Sequence, residues 1–244
     1  MSEFMNYFVR WQQREHATKR IFCFPFAGGG AGFYRHWAQC LPADIELIAV
    51  QLPGRENLLD QPPMTSLTAI VDTLFDSIEP YLDKPFVFFG HSLGALLAYE
   101  LARMLRSKLD LSPQSLIVSA KRGPHLPGQG VVTHALSDQD FIDELALLNG
   151  TPVEFLQDQE LMQFLLPQLR ADFLVNETYA YLPGSPLRCP IVAMGGIRDP
   201  MVTVEELRGW QQHTSQSFSC QLFDGDHFYL QQDKHFMSVL CRHL

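Results

Sequence analysis

The chain alternates between short apolar runs and stretches whose apolar positions recur at helical spacing. The runs that predict buried strands are 21–26, 45–52, 85–89, 115–120, 191–194 and 218–223. Helical patterns separate several of them, as in 66–82, where Pro80 marks the predicted end of the helix. Residues 1–20 are polar and predict an arm or an edge element at most. Because strands that alternate with helices form a mostly parallel sheet covered on both faces, the pattern predicts an α/β fold.

One long stretch, residues 125–185, interrupts this alternation with two or three predicted helices and no strand. Ser137 can cap the first of these helices, and Pro167 predicts a kink or a boundary in a later one. The alternation then resumes and ends in one predicted helix from Tyr229 onwards. We therefore expect a single α/β domain over residues 1–244, with 125–185 as a helical lid over the carboxyl edge of the sheet, where α/β active sites lie.

The predicted strand at 85–89 runs directly into Gly90-His91-Ser92-Leu93-Gly94, and a helical pattern follows at once. This is the G-x-S-x-G arrangement in the context that it requires, a buried strand before it and a helix after it. A sharp strand-to-helix turn brings neighbouring backbone close, so glycine fits best at positions 90 and 94, and the serine projects from the tip. The sequence predicts Ser92 as a nucleophile and His91 as a packing residue; an ordinary turn capped by Ser92 is the alternative.

A serine hydroxyl becomes reactive when a base takes its proton and a third group orients that base. In this arrangement the residues follow the order Ser, acid, His along the chain. Six histidines follow Ser92, and His227 is the one in a loop directly after the last predicted strand. Asp199 follows the preceding strand at the same edge, whereas Asp224 and Asp226 crowd the histidine loop itself. The predicted triad is Ser92, Asp199 and His227.

Stabilising the negative oxygen of a tetrahedral intermediate takes two backbone N–H groups. Leu93, directly after the nucleophile, is predicted to supply one of them. The loop after the predicted strand at 21–26 is placed to supply the other, from Ala27 at the head of a glycine run. Such a run also occurs in phosphate-binding loops, but this one lacks the Lys-Ser/Thr of a P-loop and the acidic residue that a dinucleotide ribose needs. We therefore expect no nucleotide site.

Composition narrows the range of partners and compartments. A net charge of −9 argues against nucleic acid and against anionic membrane surfaces. The five cysteines show no C-x-x-C spacing, and several lie in apolar runs, as free thiols do. The sequence has no apolar leader near residue 1, no run long enough to cross a membrane, and no metal-ligand spacing. These observations predict a metal-free cytoplasmic protein, and nothing in them demands more than a monomer.

Several further segments carry a resemblance to one family. These segments are Phe24-Pro25-Phe26-Ala27-Gly28-Gly29-Gly30, Leu52-Pro53-Gly54-Arg55-Glu56, Pro124-His125-Leu126-Pro127, Leu148-Asn149-Gly150-Thr151-Pro152, Leu169-Arg170-Ala171-Asp172-Phe173 with Glu177 and Tyr179, and Gly225-Asp226-His227-Phe228. Together with the elbow and Asp199, they make the chain similar to the type II thioesterases of nonribosomal peptide and polyketide assembly lines from about residue 21 onwards. Gly30, where serine is frequent, and Asp226, where a second glycine is common, depart from the family pattern without touching the triad.

The resemblance implies an α/β-hydrolase that cleaves acyl or aminoacyl thioesters from the phosphopantetheine arm of acyl or peptidyl carrier proteins and needs no cofactor of its own. Such enzymes clear stalled or misprimed units. The apolar residues implied to bind the acyl group are Phe26, Phe141, Leu145, Met162 and Phe228. Those within 125–185 are equally expected as the core of the lid, and Arg170 and Asp172 as a structural ion pair. A serine esterase for small soluble esters and a catalytically silent scaffold stay open as alternatives.

Overall fold

A computed structural model describes residues 6–128, 132–148, 150 and 153–244. Asn149, Thr151 and Pro152, which belong to one segment of the family resemblance, lie outside the described residues. The strands are β1 Phe8–Val9, β2 Lys19–Phe24, β3 Ile45–Val50, β4 Phe86–His91, β5 Ser115–Ser119, β6 Ile191–Gly196 and β7 Phe218–Phe223. The helices are α1 Trp37–Cys40, α2 Leu67–Ile78, α3 Leu93–Leu109, α4 Asp138–Leu147, α5 Val153–Leu156, α6 Gln159–Glu177, α7 Val204–Arg208, α8 Tyr229–Gln232 and α9 Phe236–Cys241.

The strands form one sheet in the order β1-β3-β2-β4-β5-β6-β7. The neighbouring strands from β3 to β7 are parallel, and β1 alone pairs antiparallel, with Phe8 opposite Val50. Strand β4 lies between β2 and β5, so the turn that follows it is at the centre of the carboxyl edge. The predicted α/β fold is confirmed, and the polar arm contributes the antiparallel edge strand.

Both faces of the sheet are buried, which explains why its strands are continuous apolar runs. Successive side chains of a strand point to opposite faces. Phe22 and Phe88 therefore pack under α2 and α3, in a cluster that includes Leu74 and Leu101. The alternate residues of the same strands face the other side of the sheet. There Phe89 of β4 packs against the aromatic rings of Trp37 and Phe236. None of the helices among the described residues could span a bilayer.

One local expectation of the sequence analysis is wrong, and a second is narrowed. The helix predicted from Tyr229 to the end divides into α8 and α9, because the Asp233 carboxylate accepts the N–H of His235 in the segment between them. Pro167 is not a boundary, since α6 continues through it. Burial of Leu166 and Leu169 on either side holds the helix together despite the hydrogen bond that the proline removes.

The expected cap at Ser137 is confirmed. Ser137 accepts the N–H of Asp140 at the start of α4. Thr203 and Glu206 form a reciprocal capping box at the start of α7. Helices α4, α5 and α6 all lie between β5 and β6, in the stretch where the sequence predicts an insertion. We refer to residues 125–185 as the helical insertion.

A pair of histidines fastens the helical insertion to α3. The Nδ1 atom of His125, at the start of the insertion, lies 2.8 Å from His213 Nε2, and the Tyr99 hydroxyl lies 3.0 Å from His213 Nδ1. The ring of Tyr181, near the end of the insertion, packs 5.2 Å from the His213 ring. Burial, and secondarily His125 and Arg103, lower the pKa of His213 to about 4. Both ends of the insertion therefore meet at a neutral imidazole.

Replacing Gly90 by alanine tests how tightly the chain packs at the turn after β4. A Cβ atom at Gly90 would lie 2.2 Å from the carbonyl oxygen of Gly94. That oxygen is part of the α3 backbone, so the clash can be relieved only by moving the helix. We expect the Gly90→Ala variant to lose at least about 1–3 kcal/mol of unfolding free energy in urea denaturation. Gly128→Ala is the matched control, because nothing lies within 4 Å of its Cβ position. Equal stability of the two variants would refute this packing argument.

Stability should also depend on the protonation of His213. Folding holds its pKa at about 4, whereas the unfolded side chain titrates near 6.5, so the unfolded state binds more protons between these values. The contribution of neutral His213 is complete above pH 6.5 and is lost as the pH falls towards 4. Unfolding free energies measured across this range should decline less steeply in His213→Gln than in the parent protein. Parallel pH profiles would show that this imidazole does not titrate as argued.

Candidate active site

Ser92 lies in a strained backbone conformation between β4 and α3. Its φ of 52° and ψ of −116° are unusual for a residue other than glycine. The Ser92 N–H donates to the Ser119 carbonyl at 2.8 Å, and this hydrogen bond holds the conformation. The start of α3 also packs closely against the end of β2, since a Cβ atom at Gly94 would lie only 2.3 Å from the carbonyl oxygen of Phe24. Ser92 is partly exposed.

The loops after β6 and β7 bring Asp199 and His227 together. Asp199 Oδ2 lies 2.9 Å from His227 Nδ1, and its Oδ1 accepts the N–H of Met201 at 2.8 Å. The loops are bonded to each other, since the Arg198 N–H donates to the carbonyl of Gly225. Both side chains are almost completely buried. A carboxylate on Nδ1 orients the imidazole and leaves Nε2 as the nitrogen that can accept a proton.

The competing carboxylates have other partners. Asp224 is largely exposed and pairs with Arg198. Asp226 accepts the backbone N–H of Phe228 and the side-chain amide of Gln232. Among the carboxylates that the structure describes, Asp199 is therefore the one that is hydrogen-bonded to the His227 ring. We retain Asp199 as the proposed acid.

His91 connects the nucleophile's strand with the histidine loop. Its ring centroid lies 5.3 Å from that of His227, so the residue before Ser92 is directly beside the proposed base. His91 is fully buried, as a packing residue should be, and its Nδ1 lies 2.8 Å from the Ser119 hydroxyl, which lies 2.6 Å from the hydroxyl of Tyr229. Burial, together with His227, lowers the pKa of His91 well below its ordinary value. A neutral ring therefore packs against His227.

The backbone after β2 makes a tight turn. The Gly29 N–H donates to the carbonyl of Phe26, and Gly28 has a φ of 82°, which is the signature of a type II turn with Ala27 at its second position. The Gly28 N–H is already bonded to Asp172 Oδ2 at 2.7 Å. Ala27 is consequently the residue of this turn that we propose for the oxyanion site. Leu93 begins α3, where N–H groups have no intrahelical partner.

A buried ion pair that the sequence analysis missed fixes this turn. Arg55 binds both carboxylate oxygens of Asp172, at 2.7 and 2.8 Å, and it also donates to the carbonyl of Gly29. Gln168 on the same helix, α6, donates to the carbonyl of Gly28. Two segments that carry the family resemblance, around Arg55 and around Asp172, thus meet at the turn. The signal available in the sequence was that both segments are specific to the same family. A single sequence cannot show that the two segments are in contact.

The expected pairing of Arg170 with Asp172 is wrong. Arg170 instead pairs with Asp138 at 2.7 Å and donates to the carbonyl of His134. Residues two apart on a helix do not face each other, so one of them points to α4 and the other to the Arg55 side. Arg170 therefore stabilises the helical insertion internally, whereas Asp172 connects it to the sheet edge.

The apolar residues proposed for the acyl group fall into two sets. Phe26 and Phe228 pack together with ring centroids 5.0 Å apart, and the Phe228 ring lies 5.4 Å from that of His227. Phe141, Leu145 and Met162 are buried with Leu166, Leu169 and Phe173, in a cluster that forms the insertion's own core. Ala27 packs against this cluster, and Leu169 contacts Gly28 so closely that a Cβ there would lie 2.5 Å from it.

Within the part of the chain that the structure describes, no group of three or more histidine, cysteine or acidic side chains is arranged to hold a metal ion. An elbow serine, a carboxylate-bound imidazole and a tight backbone turn at one edge of a parallel sheet can perform acyl transfer through a serine ester. The fold and this group of residues at the carboxyl edge of its sheet define the class of the protein as a serine hydrolase of the α/β-hydrolase fold.

Comparison with known proteins narrows this class. A family model for the thioesterase domain matches residues 19–244, and the chain belongs to this thioesterase family. It is 42% identical over 245 residues to the gramicidin S biosynthesis protein GrsT of Aneurinibacillus migulanus, covering 100% of this chain and 96% of GrsT.

Solved structures agree with this assignment. The type II thioesterase BorB from the borrelidin biosynthetic cluster is 36% identical, with a TM-score of 0.89 and 97% of each chain covered. The RedJ thioesterase from the prodiginine pathway of Streptomyces coelicolor is 33% identical, with a TM-score of 0.90, covering 95% of this chain and 92% of RedJ. These similarities extend over the sheet, the edge loops and the helical insertion alike.

Removing the Asp172 carboxylate should both destabilise the protein and impair its chemistry. Asp172→Ala leaves Arg55 as a buried charge without its partner and releases the Gly28 N–H, so we expect a loss of about 3–5 kcal/mol in urea denaturation. Arg188→Met breaks the exposed pair with Asp110 and should cost no more than about 1 kcal/mol. A loss in Asp172→Ala as small as that in Arg188→Met would contradict the role given to the buried pair.

Proposed function

We propose that this chain hydrolyses acyl or aminoacyl thioesters from the phosphopantetheine arm of acyl or peptidyl carrier proteins, and so clears stalled or misprimed units from an assembly line. The observation that carries the proposal is the hydrogen bond between Asp199 and His227 at the edge where Ser92 is partly exposed. Family membership supports the thioester as substrate, and the biosynthetic settings of GrsT, BorB and RedJ support carrier proteins as partners.

The proposed reaction proceeds in two halves. His227 Nε2 accepts the Ser92 proton as the serine oxygen attacks the thioester carbonyl, and the backbone N–H groups of Ala27 and Leu93 stabilise the resulting oxyanion. Collapse of this intermediate breaks the C–S bond, and His227 returns the proton to the departing thiolate. Water, deprotonated by His227, then attacks the serine ester. The ester C–O bond breaks as His227 returns the proton to the Ser92 oxygen, and the acid is released. Asp199 orients His227 and stabilises its charged form throughout.

The remaining parts of the proposal follow from this chemistry. Residues 1–244 form one domain, and the helical insertion acts as a lid over the edge. Phe26 and Phe228, next to the base, contact the acyl group, while Phe141, Leu145 and Met162 contribute through the insertion. The phosphopantetheine belongs to the partner protein, so the enzyme itself needs no cofactor. We propose that it acts as a monomer in the cytoplasm, where its carrier-protein substrates are made and loaded.

Two alternatives make different demands on the same site. A serine esterase would use the same residues but would gain nothing from a carrier protein. A silent scaffold would not need Ser92 in a strained conformation or a buried imidazole oriented by a carboxylate. Both features cost folding free energy and bring no advantage to a surface that only binds a partner. The site geometry therefore favours catalysis, and family membership favours thioesters.

Hydrolysis of carrier-bound thioesters should require Ser92. Intact-mass analysis of acyl-loaded carrier proteins should show loss of the acyl group with the parent protein, and Ser92→Ala should lower kcat about a millionfold, because the covalent step is removed. Asp199→Asn should lower kcat by about ten-thousandfold, since the imidazole then takes the wrong tautomer.

Specificity separates the alternatives. We expect kcat/KM for an acyl-carrier protein to exceed that for a p-nitrophenyl ester of the same acyl group. A large preference for the free ester would favour the esterase. The absence of a Ser92 adduct after treatment of folded protein with a fluorophosphonate would favour the scaffold.

A further inference from the structure

Lys121 occupies the edge of the sheet on the opposite side of Ser92 from the oxyanion turn. Strand β5 ends at Ser119, and the chain bends at Ala120, which has a φ of 49°. The Ser119 carbonyl accepts the N–H of Ser92, so the segment that carries Lys121 directly borders the elbow. The Lys121 backbone is itself fixed, because its carbonyl accepts the indole N–H of Trp210 at 2.7 Å.

Helix α6 contacts the segments that follow β2 and β5, the two strands on either side of β4. Asp172 on α6 binds Gly28, in the turn after β2, and Asn176, one helical turn later, accepts a hydrogen bond from Lys121 Nζ at 2.5 Å beyond β5. Strand β4, which leads to Ser92, lies between β2 and β5. Lys121 Nζ therefore lies where α6 meets the sheet edge, on the β5 side of the elbow.

This ammonium has no carboxylate partner among the described residues. Its neighbour Arg122 pairs with Glu206 at 3.4 Å, whereas Lys121 has the neutral amide of Asn176. Burial, and to a lesser extent Arg122, lower the pKa of Lys121 to about 7. An ammonium has three N–H donors, and one is used here. Lys121 as a residue is partly exposed, so a ligand can approach it.

We propose that Lys121 is a specificity-determining residue that binds an anionic oxygen of the substrate, with the carboxylate of a carboxyl-bearing acyl group as the ligand. The proposal rests on the thioesterase function proposed above. A carboxylate would supply the counter-charge that the protein does not provide, and a hydrogen bond in which both partners are charged is stronger than the one to the neutral amide of Asn176. The phosphate of the phosphopantetheine arm offers the same chemistry from a second source, and the experiment must separate the two.

The experiment measures binding first, so that its outcome does not depend on turnover. Ser92→Ala protein is titrated with the glutaryl thioester of N-acetylcysteamine and with its neutral amide counterpart, the glutaramyl thioester, neither of which carries a phosphate. We expect the carboxylate compound to bind about ten- to a hundredfold more tightly than the amide, as one charged hydrogen bond predicts. Adding Lys121→Met should bring this ratio close to one, whereas Lys121→Arg, which keeps the charge, should preserve most of it.

A second arm compares glutaramyl thioesters of pantetheine and of phosphopantetheine. If Lys121→Met removes a preference for the phosphate and leaves the carboxylate ratio intact, the acyl carboxylate is the wrong ligand. Lys108→Met, at an exposed lysine of α3, is the matched control and should change neither ratio.

Other outcomes are equally decisive. An unchanged carboxylate ratio in Lys121→Met, or an equal loss of affinity for all the compounds, would overturn the proposal, since the lysine would then only position α6. If the parent enzyme hydrolysed no thioester at all, the proposed function would fail, yet the binding ratios would still decide the role of Lys121.

Discussion

The close approach of backbone to backbone at the elbow is the constraint on which the rest of the structure depends. Gly90 and Gly94 allow β4 to reverse into α3 with carbonyl oxygens at distances that no side chain could tolerate. That reversal places Ser92 at the centre of the carboxyl edge, with β2 and β5 on either side. Each proposed partner of the serine then lies in the segment that follows one of the neighbouring parallel strands. The turn after β2, the Lys121 segment after β5 and the two loops after β6 and β7 all converge there because the strands are parallel.

The helical insertion is held to this edge by polar contacts at separate points. The Arg55–Asp172 pair fixes it to the turn after β2, the Lys121–Asn176 hydrogen bond fixes it beyond β5, and the His125–His213 pair, bonded to Tyr99, fixes its start to α3. Polar contacts depend on distance and angle more strongly than apolar ones do. They therefore determine where α6 lies relative to the sheet edge, while the apolar cluster around Phe141 keeps the insertion itself compact.

Sequence patterns predicted the strands, the elbow and the order of the candidate triad, because each depends on residues close together in the chain. The apolar runs of the parallel sheet are continuous, and Gly90 to Gly94 form one unbroken motif. Contacts between distant segments left no such pattern. The partners of Asp172 and Arg170 depend on which faces of α6 meet α4 and the turn after β2, so the expected pair was wrong. The break at Asp233 arises from a single side-chain hydrogen bond, which periodicity cannot register.

The position of α6 limits where an acyl group can lie. Leu169 already contacts Gly28, and Phe141, Leu145 and Met162 are buried in the insertion's own core. For these side chains to contact substrate, α6 would have to leave the turn, and this would separate a buried carboxylate from both Arg55 and the Gly28 N–H. Such a movement is expensive in a low-dielectric interior. The fixed walls next to His227, formed by Phe26 and Phe228, therefore offer the acyl group its less costly contacts, and selectivity among acyl groups should depend on them and on Lys121 more than on the core of the insertion.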